Sequence, residues 1–127
     1  MDIVGQNALV VEDDPSIRRL LRSYLEKLGF KVQEASTGKA ALSQLEGEPA
    51  PLLVCLDLML PELSGYKICE HIRATPRLKE MQVLVISARA LPSDRALAEE
   101  IGANAYLIKP LRWEPFSSVV KGLFGIA

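Results

Sequence analysis

Four short groups of polar residues follow apolar runs of the sequence, and their types suit phosphoryl chemistry. The first is acidic, Glu12-Asp13-Asp14, and the others are Asp57, Ser87 and Lys109. A carboxylate can act as a nucleophile, while an ammonium and a hydroxyl can stabilise charge on transferring oxygens. Clustered carboxylates repel one another, and Mg²⁺, which prefers oxygen ligands, relieves that repulsion. Together these residue types fit a magnesium-dependent site at which a carboxylate accepts a phosphoryl group.

Asp57 is the residue of this set that is hardest to explain as an ordinary polar group. The apolar run Leu52–Leu56 precedes it and an apolar triplet follows, so the pattern would bury it, and a buried unpaired carboxylate is costly. Each of the others has an ordinary interpretation: Asp14 as a helix cap, Ser87 as a strand-end hydroxyl and Lys109 as a surface lysine. Their occurrence together at successive strand ends favours a shared site.

Short apolar runs alternate with helical patterns along the chain. The runs predict strands at Ala8–Val11, Phe30–Gln33, Leu52–Leu56, Gln82–Ile86 and Ala105–Ile108. Four of the five are nearly all apolar, which is typical of parallel strands covered on both faces; the partly polar Phe30–Gln33 predicts an edge strand. Helical spacing of apolar residues follows each run, and parallel neighbours need such crossover connections. The pattern therefore predicts an α/β fold with a parallel sheet.

Capping and turn residues predict where the helices begin and end. The first begins after Asp14 and stops at Gly29, and the second covers Gly38–Leu45. The third begins at Gly65, and the fourth runs from Asp94 to Gly102; the fifth contains the apolar repeat from Phe116 to Phe124. Since sites in open parallel sheets form beyond the carboxyl ends of the strands, the four polar groups are expected to converge there.

Composition limits the classes of protein that the chain could belong to. The length of 127 residues fits one compact domain, and a net charge of −1 gives no global attraction to nucleic acid or to an anionic membrane. No apolar run approaches the roughly 18 residues that span a bilayer, and no signal peptide is recognisable. Cys55 and Cys69 lie in apolar surroundings and are interpreted as reduced thiols, which favours a cytoplasmic protein.

The ordered set of motifs resembles the receiver domain of two-component response regulators, the CheY-like superfamily. The motifs are "VVEDD" at 10–14, "DLMLPELSG" at 57–65, "ISA" at 86–88 and "LIKP" at 107–110. The resemblance covers residues 1–127 as a single receiver domain. It implies a doubly wound, flavodoxin-like sheet of five parallel strands in the order 2-1-3-4-5, with helices on both faces.

The resemblance implies a phosphoacceptor and a metal site. Asp57 would receive a phosphoryl group from a histidine kinase or a histidine phosphotransfer protein. Mg²⁺ would be bound by Glu12, Asp13, Asp57 and the backbone carbonyl of Met59. On this interpretation the chain is not an enzyme in its own right, but a phosphoacceptor that takes part in its own phosphorylation and dephosphorylation.

The resemblance also implies how the modification is read. Lys109 would contact the phosphoryl group, Ser87 would hydrogen-bond it and Tyr106 would follow Ser87 as a switch residue; the Lys109–Pro110 peptide would be cis. A downstream protein, an effector domain or a second copy in a homodimer would bind the face formed by helix four, strand five and helix five. Candidate residues of that face are Arg95, Glu99, Tyr106 and Trp113.

Two parts of the sequence depart from the family pattern. Leu111 replaces the aromatic residue often found after Lys-Pro, and "RWEPFSSVVKGLFGIA" matches poorly the charged fifth helix of receivers that dimerise before binding DNA. The expectation is therefore no direct nucleic acid binding, in a stand-alone receiver or in part of a longer protein. Arg89, two residues after Ser87, could overhang the phosphoryl group and alter the lifetime of the phosphoaspartate.

Three alternatives compete with this interpretation. An aspartate-nucleophile phosphatase would place a second Asp where Met59 stands, and the single histidine, His71, falls in mid-helix. A flavodoxin-like cofactor binder would offer its phosphate amides and hydroxyls, whereas Glu12-Asp13-Asp14 would repel it. A pseudo-receiver that signals through protein contacts without phosphorylation remains the alternative function.

Overall fold

The computed structural model describes residues 2–126, and within them five strands alternate with five helices. The strands are β1 (Asn7–Val11), β2 (Lys31–Ala35), β3 (Leu53–Asp57), β4 (Gln82–Ser87) and β5 (Ala105–Ile108). The helices are α1 (Pro15–Lys27), α2 (Gly38–Leu45), α3 (Gly65–Ala74), α4 (Pro92–Glu100) and α5 (Trp113–Leu123). The parallel sheet has the order β2-β1-β3-β4-β5, which confirms the predicted doubly wound, flavodoxin-like fold.

Two hydrophobic cores lie on opposite faces of the sheet. Helices α1 and α5 cover one face and α2, α3 and α4 cover the other. All five residues of β3 are buried, and successive side chains serve alternate cores, as with Val54 on one face and Cys55 on the other. Because β3 is buried along its whole length, this central strand holds its last residue, Asp57, in a fixed position.

Both cysteines are buried and free, and burial raises the pKa of each thiol.

The edge strand β2 is confirmed at the predicted place but with different bounds. It begins one residue later than predicted and extends to Ala35, pairing with β1 along its whole length. The extension includes Glu34, whose carboxylate binds the guanidinium groups of Arg18 and Arg22 from α1. An edge strand exposes one side to solvent, so a paired charged residue fits there although it breaks the apolar pattern.

Capping residues account for where two helices begin. The Asp14 side chain accepts hydrogen bonds from the N–H groups of Ser16 (2.8 Å) and Ile17 (3.4 Å), as its predicted capping role requires. Helix α4 begins at Pro92, two residues earlier than predicted, because proline suits the first helical position. Asp94, predicted as the start of this helix, is instead its third residue.

Gly65 allows the loop after β3 to return close to the strand. A Cβ atom at this position would lie 2.5 Å from the carbonyl oxygen of Asp57 and 2.7 Å from the Cα of Leu58. Its N–H donates to the Leu58 carbonyl at 3.1 Å. Gly65 is therefore required by close backbone approach at the Asp57 turn.

Among the described residues, no helix has both the length and the apolar character needed to cross a membrane.

Candidate functional site

Asp57 ends β3 at the carboxyl edge of the sheet, with only 4% of its surface exposed. One carboxylate oxygen, Oδ1, accepts a hydrogen bond from the N–H of Met59 at 2.9 Å. The other, Oδ2, lies 3.2 Å from the ammonium nitrogen of Lys109. The carboxylate is thus oriented by both the loop that follows it and a cation from the end of β5.

The loop after β1 brings two further carboxylates to Asp57. Oxygen atoms of Glu12, Asp13 and Asp57 all lie within 4.8 Å of one another. Glu12 is buried, with 1% of its surface exposed, whereas Asp13 is open to solvent. The Arg18 guanidinium donates to the carbonyls of Glu12 (3.0 Å) and Asp13 (3.4 Å), so α1 holds the backbone of the acidic loop. The three carboxylates that the sequence predicted to converge therefore do so.

Lys109 lies between the two buried carboxylates. Its ammonium is 2.9 Å from Glu12 Oε1 and 3.2 Å from Asp57 Oδ2. Its backbone N–H donates to the carbonyl of Ser87 at 2.8 Å, which fixes the end of β5 against β4. The Lys109–Pro110 peptide bond is cis. One lysine thus serves as the common cation of a cluster of three acids.

Burial of the acidic cluster changes how it titrates. Burial is the main reason why the pKa of Glu12 rises from its ordinary 4.5 to about 7; the attraction of Lys109 opposes this rise, and the charge of Asp57 adds to it. Burial also lowers the pKa of Lys109, but its pairing with Glu12 and Asp57 outweighs that effect and the net shift is upward. The cluster therefore holds more negative charge than its single cation compensates.

The donor set fits a magnesium ion. Glu12 Oε1 is buried, and apart from its ion pair with Lys109 it has no partner in good hydrogen-bond geometry among the described residues. Carboxylate oxygens are the ligands that Mg²⁺ prefers, and an added cation would compensate the buried charge of Glu12 and its repulsion with Asp57. Glu12, Asp13 and Asp57 could therefore hold it. The side chain of Met59 points into solvent, and its predicted contribution is through the backbone carbonyl.

Ser87 and Tyr106, the two predicted switch residues, are connected through the backbone of Arg89. Ser87 follows the residue of β4 that is paired with Asp57, and its buried hydroxyl accepts from the N–H of Arg89 at 3.1 Å. Tyr106 is 7% exposed, and its hydroxyl donates to the carbonyl of Arg89 at 2.8 Å. The tyrosine ring therefore lies inward.

Asp94 is a functional candidate that was not predicted, and the side chain of Arg89 lies away from its predicted place over the pocket. The Arg89 guanidinium binds Asp94, with Nε 2.8 Å from Oδ1, so this side chain is engaged on the α4 side. Asp94 is a carboxylate with 7% exposure. A signal was present in the sequence, because an acid three residues after a helix cap is typical of a first helical turn.

The predicted partner-binding face is only partly open. Arg95 and Glu99 on α4 are exposed, but Tyr106 is buried. Trp113 packs edge-to-face on Tyr24 of α1 at 5.4 Å between ring centroids, with the Lys27 ammonium 4.2 Å from its ring. Trp113 therefore belongs to the packing between α1 and α5, and its assignment to that face is corrected.

Fold and site together define a doubly wound α/β protein with an acidic pocket at the carboxyl edge. Residues 8–121 match the family described as the response regulator receiver domain, and the chain belongs to that family. It is 37% identical over 123 residues to the transcriptional regulatory protein GltR of Pseudomonas aeruginosa, a match that covers 97% of this chain and 50% of GltR. The chain thus spans about half the length of that relative.

Two solved structures show the same similarity in three dimensions. The BeF3-activated DrrB receiver domain is 31% identical with a TM-score of 0.84, and the match covers 96% of this chain and 99% of that one. The Mn(2+)-bound form of the response regulator Rcp1 is 28% identical with a TM-score of 0.77, over 93% of this chain and 91% of that one. The resemblance to receiver domains that the four sequence motifs indicated is confirmed.

Proposed function

We propose that Asp57 accepts a phosphoryl group from a histidine kinase or a histidine phosphotransfer protein in a Mg²⁺-dependent reaction. One observation carries the proposal: the buried Asp57 carboxylate lies 3.2 Å from Lys109 and within 4.8 Å of two further acids. An aspartate-nucleophile phosphatase would need a second acid where Met59 stands, and a flavodoxin-like site would need amides and hydroxyls where Glu12 and Asp13 stand. The proposal concerns the receiver domain alone, which residues 8–121 match, and not any further domain that relatives such as GltR contain.

The chemistry assigned to each residue follows from its position. A carboxylate oxygen of Asp57 attacks phosphorus while the bond from phosphorus to the donor's histidine nitrogen breaks. Lys109 places its positive charge beside the oxygen that receives the phosphoryl group. Glu12, Asp13, Asp57 and the Met59 carbonyl would hold Mg²⁺, which supplies positive charge to the transferring oxygens. On this proposal the chain is a phosphoacceptor and the kinase is the enzyme.

The phosphorylated state would act on Ser87 and Tyr106. Phosphorylation replaces a carboxylate by a group with more charge and more acceptor oxygens. The Ser87 hydroxyl, which accepts from the Arg89 N–H, has its own proton to donate to one of them. The consequence is a population shift at the surface of α4, β5 and α5, where a downstream protein, an effector domain or a second copy binds. GltR is named a transcriptional regulatory protein and extends well beyond the matched region, which supports an effector domain as the partner.

Two further features support the proposal. The solved relatives are described as BeF3-activated in one case and Mn(2+)-bound in the other, which fits a site that receives a metal and is activated. The free thiols of Cys55 and Cys69 suit the cytoplasm, the proposed location.

Intact-mass measurement after incubation with acetyl phosphate tests the proposal directly. Wild type should gain the mass of one phosphoryl group with Mg²⁺ and not with EDTA, and Asp57→Asn should gain none. Asp14→Asn is the matched control, because it removes a neighbouring charge while asparagine retains the capping oxygen; it should behave like wild type. A folded wild type that gains no phosphoryl group would favour the pseudo-receiver, and steady hydrolysis of phosphate esters would favour the phosphatase.

A further inference from the structure

The loop between β4 and α4 connects the phosphoacceptor pocket to β5 through one residue, Arg89. Its N–H donates to the Ser87 hydroxyl at 3.1 Å, and its carbonyl accepts from the Tyr106 hydroxyl at 2.8 Å. Its guanidinium is 2.8 Å from Asp94. The backbone geometry of Arg89 therefore determines the hydrogen bonds of both switch residues, and its side chain is tied to α4.

Asp94 holds this loop from two sides. Oδ1 accepts from the Arg89 guanidinium, and Oδ2 accepts from the N–H of Leu91 at 3.2 Å. Both oxygens of a carboxylate with only 7% exposure are thus used within the loop that contains Arg89. A buried charge is stable only with such partners, so the position of Asp94 and the conformation of the loop depend on each other.

Tyr106 has few other polar groups to hold it inward. Its hydroxyl bonds to the Arg89 carbonyl, and the Arg95 guanidinium lies 5.5 Å from the ring centroid. A buried tyrosine hydroxyl without an acceptor is costly, whereas the same hydroxyl is readily solvated when the ring turns outward. A displacement of the Arg89 carbonyl therefore favours the outward ring.

We propose that Asp94 is a positioning residue of the switch: its ion pair with Arg89 holds the Arg89 carbonyl where Tyr106 can donate to it, and so sets the population of inward Tyr106. The effect of this ion pair on Tyr106 is present in the unphosphorylated protein and can be measured there. The consequence for signalling, in which Asp94 sets how far the output face responds to modification of Asp57, rests on the proposed function.

Fluorine NMR of the full chain labelled with 3-fluorotyrosine tests the proposal. The chain contains three tyrosines, so three signals are expected, and Tyr106→Phe identifies the one of interest. The position of that signal between its limit on cooling, taken as the inward state, and its value in urea, taken as the exposed state, reports the outward fraction in each protein, wild type included. Arg89→Ala and Asp94→Asn should each raise the outward-to-inward ratio about two- to fivefold, the range expected for a partly exposed ion pair. Arg89→Lys, which keeps a cation, should restore much of the wild-type position.

Two comparisons separate the ion pair from other effects of these substitutions. Arg89→Ala leaves the bond from Leu91 to Asp94 in place, so a response in Asp94→Asn alone would show that capping of α4 is responsible and would overturn the proposal. Glu100→Gln removes an acid from the same helix and should leave the Tyr106 signal unchanged; an equal response would also overturn it. The double variant Arg89→Ala with Asp94→Asn should give the same Tyr106 signal as each single variant, because the two substitutions remove the same ion pair.

The test remains decisive in two further cases. If Asp94→Asn does not fold, the Tyr106 signals of Arg89→Ala and Arg89→Lys are compared instead, because neither variant removes the buried carboxylate. A shift in Arg89→Ala that Arg89→Lys largely reverses supports the proposal, and equal signals overturn it. A wild type that gains no phosphoryl group from acetyl phosphate, but whose Tyr106 signal responds as expected, would end the proposed function and leave the role of Asp94 intact.

Discussion

The two ends of the sheet contain cations in opposite surroundings. At the amino end, Arg73 from the last turn of α3 uses all five of its N–H donors. Its partners are all uncharged: the carbonyls of Lys79 (2.8 Å), Met81 (2.7 Å) and Gly102 (2.9 and 2.7 Å) and the side-chain oxygen of Asn104 (2.7 Å).

At the carboxyl end, the partners of the Lys109 ammonium within residues 2–126 are carboxylates. It is shared between Glu12 and Asp57, with Asp13 nearby, and buried Glu12 Oε1 has no well-aligned hydrogen-bond donor among the residues described. The raised pKa of Glu12 shows that burial opposes the charged form there. The cluster is thus left with unsatisfied binding capacity.

The difference shows which end stabilises the fold and which end is available for ligands. A guanidinium whose donors all meet fixed carbonyls ties α3 to the starts of β4 and β5 and has nothing left to bind. Acids gathered round one lysine destabilise the folded state, and a bound cation can relieve their repulsion. Removal of a charged side chain should therefore lower stability at the amino end, as for Arg73, and raise it at the carboxyl end, as for Glu12.

Arg73→Ala should have the largest effect. It leaves several partly buried carbonyls without donors, and the free energy of unfolding should fall by about 4 kcal/mol. Urea denaturation measures this loss. Arg73→Lys should recover little, because an ammonium cannot reproduce the planar five-donor geometry.

Arg19→Ala is the matched control for that substitution. Arg19 is exposed on α1 and its side chain forms no hydrogen bond or ion pair within residues 2–126, so its loss should change stability by no more than about 0.5 kcal/mol. Equal losses in the two variants would show that the interactions at the amino end have no special importance for stability.

Gly65→Ala should have the next largest effect, and it acts on the site. The added Cβ would lie 2.5 Å from the Asp57 carbonyl oxygen, so the backbone that bears the phosphoacceptor must shift. We expect a loss of about 2–3 kcal/mol, typical of overpacking, together with slower phosphorylation by acetyl phosphate. Gly122→Ala meets no atom within 4 Å and should instead stabilise α5 slightly. Normal phosphorylation of a less stable Gly65→Ala would contradict the link between this glycine and the geometry of Asp57.

The contrast between the two ends also explains what could be predicted from the sequence. The strands, the parallel α/β class and the convergence of the acids with Lys109 follow from local patterns and from one geometric rule about strand ends. The strand order 2-1-3-4-5 was implied by the resemblance to receiver domains. The partners of Arg73 could not be predicted in this way. They lie on segments far apart in the chain, and most are backbone carbonyls, which every residue type has.

Side-chain direction limited the remaining predictions. Arg89 was expected over the pocket, but a guanidinium on a long stem binds the nearest buried carboxylate, and the sequence could not show that Asp94 would be buried. Trp113 was expected on the surface of α4, β5 and α5, yet its ring packs on Tyr24 because α5 lies beside α1. Chain order alone does not reveal such contacts between helices.

Glu12→Gln should have the smallest of these effects, and its sign should be opposite to that of Arg73→Ala. The pKa of Glu12 rises from 4.5 in its ordinary state to about 7 in the folded protein, so the folded state holds this proton more tightly. The contribution of Glu12 to stability is therefore highest at low pH and is lost as the pH rises from about 4.5 to about 7. Glutamine resembles the protonated acid at every pH. In EDTA the variant should match wild type at pH 5 and exceed it at pH 8 by on the order of 2 kcal/mol.

Urea denaturation of both proteins at the two pH values isolates this contribution, since other titrating groups cancel in the difference. Glu80→Gln, at an exposed acid near the amino end, should show no such pH-dependent gap. A gap that is the same at pH 5 and pH 8 would mean that Glu12 does not titrate in this range. Adding Mg²⁺ at pH 8 should narrow the gap, because a cation that binds the folded wild type stabilises it and glutamine removes one charged ligand. If the amino end supplies stability and the carboxyl end supplies binding, Mg²⁺ should stabilise Arg19→Ala as much as wild type and Glu12→Gln much less.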